Sequence, residues 1–337
     1  MKKVQILIAL GGIVVVAVAV APPTCAAGAD YANVAELQNA HDRALIRDLQ
    51  AYIAAKPKAE DIDHAYMTLF DKTIEHDWFL ENEEPARRYL AAFPDGAVQS
   101  LAQIVATMAR AQAGQFGEAL KQFQGLMAGL GKPEQEEFAA HFTDSLAQAA
   151  TTAGAFDVAR QAYEALLQRY GESQTVRQKV KVDLNRLSLV GKPAPSVVVK
   201  DLKGDNFRLD DLRGRYVLVD FWATWCAPCV AELPRVQEAY AKYHEKGFEV
   251  VGVSLDETKP AVVDFIRTRN LPWRQIHNAS CDGDLVEAFG VSTIPATFLI
   301  DPRGTIIRLE LNGPALDQTL AQLLKDVASL PKTGTRR

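Results

Sequence analysis

Cysteine and histidine are scarce in this chain, which has four cysteines and six histidines among 337 residues. So few cysteines do not form the disulfide framework that holds many small secreted domains together. The histidines lack the paired spacing of zinc ligands, and the Cys-x-x-Cys at Cys226 and Cys229 has no second copy. The sequence therefore predicts no metal site.

Basic residues are not concentrated anywhere except at the terminal Arg336-Arg337, and the formal net charge is −5. Proteins that bind nucleic acids usually gather Lys and Arg on one face. We therefore expect no nucleic-acid partner. The composition, 48% hydrophobic and 23% charged, is ordinary for a globular protein, and the length suffices for two domains.

A long apolar run occurs at the N-terminus. Met1-Lys2-Lys3 precedes the uncharged segment Val4 to Ala21, and Pro22-Pro23 and the small residues Ala27-Gly28-Ala29 follow. This order is typical of a secretory signal peptide, so residues 1–29 are predicted to direct export to the periplasm or another extracytoplasmic space. A retained membrane anchor is the alternative, because the run is at the lower edge of spanning length.

Residues 30–187 are predicted to be helical throughout, because Ala, Leu, Gln and Glu dominate and strand-like alternation is scarce. A weak repeat relates Gly114–Leu120 to Gly154–Arg160, and Glu84–Leu90 is a third echo. The pattern resembles degenerate tetratricopeptide-type hairpins, whereas an Ala-rich helical bundle is the alternative. Either arrangement predicts a scaffold or a surface that docks a protein partner.

Residues 188–330 have a different pattern, which begins at the turn-rich segment Val190–Pro195. Strands alternate with helices here and predict an α/β domain, so the fold class is an all-α domain followed by an α/β domain. Residues 331–337 are predicted to be a tail. The predicted elements are a hairpin of strands at 196–199 and 206–209, strands at 216–222, 248–254, 296–300 and 305–309, and helices at 230–243, 260–269, 284–289 and 314–329.

The most informative motif is Trp225-Cys226-Ala227-Pro228-Cys229, between the predicted strand Tyr216–Trp222 and the predicted helix from Val230. Unpaired N–H groups and the positive end of the helix dipole stabilise a thiolate at such a junction. If residues 1–29 are removed, Cys281 is the remaining odd thiol, so too few ligands are left for zinc. An incidental thiol or an intermolecular disulfide are the alternatives for Cys281.

Two runs carry a family resemblance: Val219–Pro234, which contains the Cys-x-x-Cys, and Phe289–Asp301. They resemble the thioredoxin superfamily, and the leading Gly191–Pro195 resembles its exported TlpA/ResA-like branch. The resemblance covers roughly residues 188–330. It implies a thioredoxin fold and a thiol–disulfide oxidoreductase that exchanges electrons with cysteines of protein substrates. It implies no cofactor beyond a redox-active disulfide between Cys226 and Cys229.

The resemblance also implies roles for individual residues. Cys226, expected at an exposed helix start, is the attacking thiolate, and Cys229, one turn deeper, resolves the mixed disulfide. Asp220 is the buried acid that helps to deprotonate Cys229, and burial predicts a raised pKa for it. A strand-end aspartate that reaches solvent is the alternative. Pro228 is expected to tune the environment of Cys226.

Further residues are implied to bind substrate or to modulate the site. The Ile294-Pro295 peptide bond is expected to be cis, a minority state for X–Pro bonds, and to offer backbone hydrogen bonds to the substrate. Trp225 is expected to shape the contact surface beside the cysteine. Glu232 either biases local proton transfers or belongs to a polar helix face.

Three functions are carried forward from the sequence. The first is an exported oxidoreductase, more often a reductant in this branch, with cytochrome c maturation as one role and a membrane protein as electron donor. The second is a peroxiredoxin-type peroxidase, which is disfavoured because Ala223 occupies the place of the required threonine. The third is a non-enzymatic scaffold, which both cysteines of the motif disfavour.

Overall fold

The structure, a computed structural model, describes residues 31–280 and 283–328. The predicted signal peptide, Cys281 and the predicted tail lie outside these residues. None of the described helices combines the length with the apolar composition that a membrane span requires.

The contacts divide the chain into two units, which meet in the sequence between His76 and Asp77. The described part of the first unit contains α1 (Val34–Ala55) and α2 (Ile62–Glu75), which pack against each other. The Asn33 side chain caps α1 by accepting a hydrogen bond from the Glu36 N–H at 3.0 Å. Apolar side chains on both helices are buried: Ile46, Ile53, Leu69 and Phe70.

The second unit begins with six helices, which a mixed sheet with its own helices follows. Its first helices are α3 (Phe79–Ala92), α4 (Gln99–Gln112), α5 (Phe116–Gly129), α6 (Glu136–Thr152), α7 (Phe156–Tyr170) and α8 (Gln174–Leu187).

Three of these helices start with the same turn. Asp77, Gly114 and Gly154 adopt left-handed φ angles of 57°, 74° and 80°, and the phenylalanine that begins α3, α5 or α7 follows two residues later. Glycine adopts this conformation without strain. Alignment of the turns at Asp77 and Gly114 places the counterpart of Gly114–Leu120 at residues 77–83, whereas the sequence analysis placed the third echo at Glu84–Leu90.

The second unit contains the strands β1 (Val199–Lys200), β2 (Asn206–Phe207), β3 (Tyr216–Trp222), β4 (Phe248–Ser254), β5 (Arg274–His277), β6 (Ala296–Ile300) and β7 (Ile306–Leu309). Strands β1 and β2 form a separate hairpin, and the other five form one sheet in the order β5-β4-β3-β6-β7. Strands β3, β4 and β5 are parallel, whereas β6 and β7 are antiparallel to their neighbours. The helices are α9 (Ala227–Tyr243), α10 (Lys259–Arg269), α11 (Leu285–Ala288) and α12 (Pro314–Ala328).

These elements confirm the predicted fold class, but the sequence analysis missed β5. This strand contains Gln275 and His277, which are buried although polar. The Trp222 indole donates a hydrogen bond to Gln275 Oε1 at 3.1 Å, and His277 Nε2 lies 2.7 Å from the Asp256 carbonyl oxygen. Because Gln275 Oε1 and His277 have internal partners, β5 is buried although its sequence lacks the apolar pattern of a buried strand.

The two faces of β3 pack against different groups. Side chains alternate between the faces of a strand, so Leu218, Asp220 and Trp222 share one face. Leu218 and Trp222 belong to the buried cluster that contains Leu233 of α9. On the opposite face, three phenylalanine rings form an aromatic cluster: Phe221 of β3, Phe289 directly after α11, and Phe298 of β6.

The segment after α8 joins the helices to the sheet. Gly191 N–H donates to the Ile306 carbonyl oxygen at 2.8 Å, and Ile306 N–H donates to that of Lys192 at 3.0 Å, so this segment covers the edge strand β7. Arg186 Nη1 of α8 lies 2.9 Å from Glu310 Oε1, just beyond β7. Helix gives way to strand near the predicted boundary at 187/188, whereas the contacts place α3–α8 and the sheet in one unit. That boundary stays a prediction.

Candidate active site

The Cys-x-x-Cys motif lies at the start of α9, directly after the turn that follows β3. Cys226 is the N-cap residue, with φ −83° and ψ 94°, and its Sγ accepts a hydrogen bond from the Cys229 N–H at 3.3 Å. Pro228 occupies the first turn, where no intrahelical N–H bond is required. The two sulfurs form a disulfide with an S–S distance of 2.06 Å. The structure therefore places a redox-capable pair at a helix N-terminus, which favours a thiolate on Cys226 after reduction.

The expectation that Cys226 is exposed was wrong for this disulfide form. Only 5% of Cys226 and 3% of Cys229 are accessible to solvent. The physical reason is packing: both cysteines belong to the core cluster, whose apolar side chains cover them. The neighbouring Trp225 is 66% exposed, so the indole is the prominent feature of the surface here.

Asp220 lies in the middle of β3, on the face that α9 covers. It is 7% exposed and pairs in register with Gly252 of β4 and Thr297 of β6. Burial, with a smaller contribution from the negative charge of Glu232, raises the pKa of Asp220 to about 7. The predicted rise in pKa is confirmed, and the alternative of a solvated strand-end aspartate is wrong. A carboxyl with such a pKa can exchange a proton near neutral pH.

Glu232 connects α9 to the start of α12. Its Oε2 accepts a hydrogen bond from the Gly313 N–H at 2.8 Å, and its Oε1 lies 2.9 Å from Arg235 Nη1. Glu232 is also three residues after Cys229, so the two lie on the same side of the helix. The site thus contains two carboxyl groups close enough to influence each other, on Asp220 and Glu232.

The Ile294-Pro295 peptide bond is cis, which confirms the prediction. Pro295 directly precedes β6, whose first residue, Ala296, pairs with Phe221 near the end of β3. Because β3 and β6 are antiparallel, this loop lies at the same edge of the sheet as the start of α9. Ile294 packs against the core cluster that contains Cys226 and Cys229. The predicted substrate-binding residues therefore lie at the same edge of the sheet as the disulfide.

Sequence analysis missed one charged residue at this edge. Asp256 follows β4, is 3% exposed, and accepts a hydrogen bond from the Thr224 N–H at 3.1 Å. A usable signal was present, because polar residues just beyond adjacent parallel strands meet at one edge of a sheet. Thr224 and Asp256 each come two residues after such a strand.

The fold and the buried cysteine pair define a thioredoxin-like protein that carries out thiol–disulfide exchange. Comparison with known proteins agrees with this class: residues 190–309 match the family model described as AhpC/TSA family. Thiol-disulfide oxidoreductase ResA of Bacillus thuringiensis subsp. konkukian is 38% identical over 138 residues, which are 41% of this chain and 78% of that protein. The Oceanobacillus iheyensis protein of the same name is 37% identical over 150 residues, 43% of this chain and 77% of that one.

Among solved structures, the thioredoxin domain of a thiol-disulfide oxidoreductase from Bacteroides vulgatus is 33% identical. The match covers 40% of this chain and 97% of that one, with a TM-score of 0.38. On the identity and coverage of the ResA proteins, the chain belongs to the ResA-like thiol–disulfide oxidoreductases of the thioredoxin superfamily. Its substrates are accordingly proteins that contain cysteines.

Proposed function

We propose that this enzyme is an exported reductant of protein disulfides. The observation that carries the proposal is a pair of interacting carboxyl groups on the two elements that flank the cysteines: Asp220 on β3, which leads to Cys226, and Glu232, one turn after Cys229 on α9. Negative charge near a thiolate opposes the stabilisation that the helix N-terminus gives it, so the reduced enzyme is less favoured relative to the disulfide than it would be without these carboxyl groups. Strong oxidants of this superfamily do the opposite, because they stabilise their reduced form.

The exchange proceeds in two steps. The Cys226 thiolate attacks a substrate disulfide, a mixed disulfide forms, and one substrate sulfur leaves as a thiolate that takes up a proton. Asp220 then accepts the proton of Cys229, whose thiolate attacks Cys226 Sγ and releases the second substrate sulfur. Two electrons pass from the dithiol to the substrate, and the Cys226–Cys229 disulfide remains. Trp225 and the Ile294-Pro295 loop contact the substrate, and Pro228 and Glu232 modulate the thiols.

Trapping tests the assigned steps. A full-length Cys229→Ser variant should accumulate mixed disulfides through Cys226, because the resolving thiol is absent. Cys226→Ser is the matched control and should trap nothing. Asp220→Asn should slow resolution by roughly tenfold or more without slowing the first attack, because only resolution uses this base. Equal trapping by the two serine variants would contradict the assignment.

The direction of electron flow is tested in the cells that produce the protein. Acid quenching followed by alkylation with a mass tag reports the state of Cys226 and Cys229. A reductant supplied by a membrane donor should be found mainly as the dithiol. A protein found mainly as the disulfide in growing cells would contradict a reducing role.

Cytochrome c maturation is the specific role that we propose, since haem attaches to Cys-x-x-Cys-His segments that must first be reduced. An oxidised peptide with this motif should be reduced at least about threefold faster than a matched peptide without the histidine. Equal rates of reduction for the two peptides would agree with a general reductant and contradict this specific role.

The helical region is proposed to dock a protein partner through repeat-like hairpins. Deleting residues 30–187 would also remove Arg186 from Glu310, so a surface substitution is the cleaner test. Leu80 on α3 is 52% exposed, and Val263 on α10 is 42% exposed. Leu80→Glu should change the set of proteins trapped by Cys229→Ser, whereas Val263→Glu should not. An unchanged set with Leu80→Glu would argue against docking on α3.

A further inference from the structure

Asp256 is a buried carboxylate that the exchange steps do not use. Its oxygens lie 3.2 and 3.1 Å from the Thr224 nitrogen, whose N–H donates to them. The Thr224 hydroxyl donates to Oδ1, and the Ser254 hydroxyl donates to Oδ2 at 2.7 Å. A residue that is 3% exposed and accepts bonds from two other residues is held in one position, and it holds its partners in turn.

Strand register brings these groups together. Trp222 and Ser254 are partners at the ends of the parallel strands β3 and β4, and the Leu255 N–H donates to the Trp222 carbonyl oxygen at 2.8 Å. Thr224 and Asp256 follow this last ladder step at equal distance along the two chains. The Asp256 side chain therefore joins the two chains beyond the last backbone hydrogen bond between β3 and β4, because it binds Thr224.

Asp256 is itself fixed from two sides. Its N–H donates to Ser254 Oγ at 3.1 Å. His277 Nε2 on β5 lies 2.7 Å from the Asp256 carbonyl oxygen, and since a carbonyl only accepts, this nitrogen carries the hydrogen. Asp256 thus connects β3, β4 and β5 at the edge where the disulfide lies: its carboxylate binds Thr224 and Ser254, and its backbone carbonyl accepts from His277.

The segment that Asp256 holds is the turn that presents the active site. The Cys226 N–H donates to the Ala223 carbonyl oxygen at 3.1 Å, which closes a turn with Thr224 and Trp225 in its centre. Helix α9 fixes the Cys226 side of this turn. On the other side, the bonds to Asp256 fix Thr224. The exposed Trp225 lies between these two attachments.

We propose that Asp256 is a positioning residue for thiol–disulfide exchange, which keeps the Ala223–Cys226 turn in the conformation that aims the Cys226 sulfur and Trp225 at the substrate. Exchange requires the attacking sulfur in line with the disulfide, so a turn that samples other conformations reacts more slowly. The inference rests on exchange at Cys226, and Cys226→Ser tests that premise separately by abolishing all turnover.

The test compares Asp256→Asn with Asp256→Ala in the full-length reduced protein. Asparagine keeps an oxygen that can accept from the Thr224 N–H, whereas alanine keeps none. The probe is oxidised glutathione, and the readout is the second-order rate constant for formation of the disulfide at Cys226, followed by alkylation and mass spectrometry. We expect the alanine variant to react at least about threefold more slowly than the asparagine variant. A smaller difference would overturn the proposal.

Rates are measured under conditions in which circular dichroism shows each variant to be folded. A loss of stability alone therefore does not change the measured rate constant. Asp264 on α10 provides the matched control, because its side chain is 68% exposed and distant in sequence from the motif. Asp264→Asn and Asp264→Ala should react alike. If Asp256→Ala does not fold, Thr224→Val and Thr224→Ser replace it, because only serine keeps the hydroxyl donor. The same threefold criterion then decides, with valine as the slower variant.

Discussion

Replacing Asp220 by asparagine should remove a large part of the pH dependence of stability. The folded protein holds the pKa of Asp220 at about 7, and an unfolded aspartate titrates at its model value of 3.8. Between these values the folded state binds more protons than the unfolded state, so stability falls as pH rises. The fall begins above the unfolded pKa and levels off above about pH 7.

The size of the effect follows from the two pKa values. Each unit of difference corresponds to about 1.4 kcal/mol, so ionised Asp220 costs the folded state about 4 kcal/mol at alkaline pH. Between about pH 5 and pH 8 the expected change is roughly 2–3 kcal/mol. The charge of Glu232 contributes the smaller part of this cost, and burial contributes the larger part.

The assay is urea unfolding of the oxidised protein at several pH values, with wild type and Asp220→Asn measured side by side. In the oxidised form Cys226 and Cys229 are joined and do not titrate. The difference in unfolding free energy between the two proteins isolates Asp220 from the other groups. From about pH 5 to pH 8, the unfolding free energy of wild type should fall by roughly 2–3 kcal/mol relative to that of Asp220→Asn. A difference independent of pH would refute the raised pKa and the proton-transfer role that depends on it.

Two further predictions concern charges around the site and at the helix–sheet junction. Glu232→Gln should move the midpoint of the Asp220 effect to lower pH, because the amide removes the like charge; an unmoved midpoint would show that burial alone sets the pKa. Arg186→Ala should lower the free energy of unfolding by about 2–4 kcal/mol in urea titrations, because it leaves the mostly buried Glu310 carboxylate without its ion-pair partner. Arg88→Ala, at an exposed pair, should cost at most about 0.5 kcal/mol, and equal losses for the two would contradict the difference in burial.

The strand–Cys-x-x-Cys–helix unit was predictable because each part has a strong local signal. These parts are an apolar run ending at Trp222, a proline in the first helical turn and a downstream Ile-Pro pair. The predicted bounds of β3, β4 and β6 agree with the structure. The raised pKa of Asp220 was also predictable, since a carboxyl in an apolar strand has little access to water.

Features that depend on distant pairs were not predictable in this way. The ion pair of Arg186 with Glu310 joins residues far apart in the sequence, and each looks like an ordinary surface charge on its own. Strand β5 was missed because Gln275 and His277 find partners inside the protein. The burial of Cys226 was not predictable because it depends on core side chains from elements far apart in the sequence, such as Leu233 and Leu316.

The reduction potential of the Cys226–Cys229 couple tests the central claim most directly. The full-length protein is equilibrated with glutathione buffers of defined ratio, and the fraction of dithiol is measured after acid quenching and alkylation. A reductant whose carboxyl groups oppose the thiolate should have a potential near that of thioredoxin, about −270 mV. A potential near that of a strong periplasmic oxidant, about −120 mV, would contradict the account.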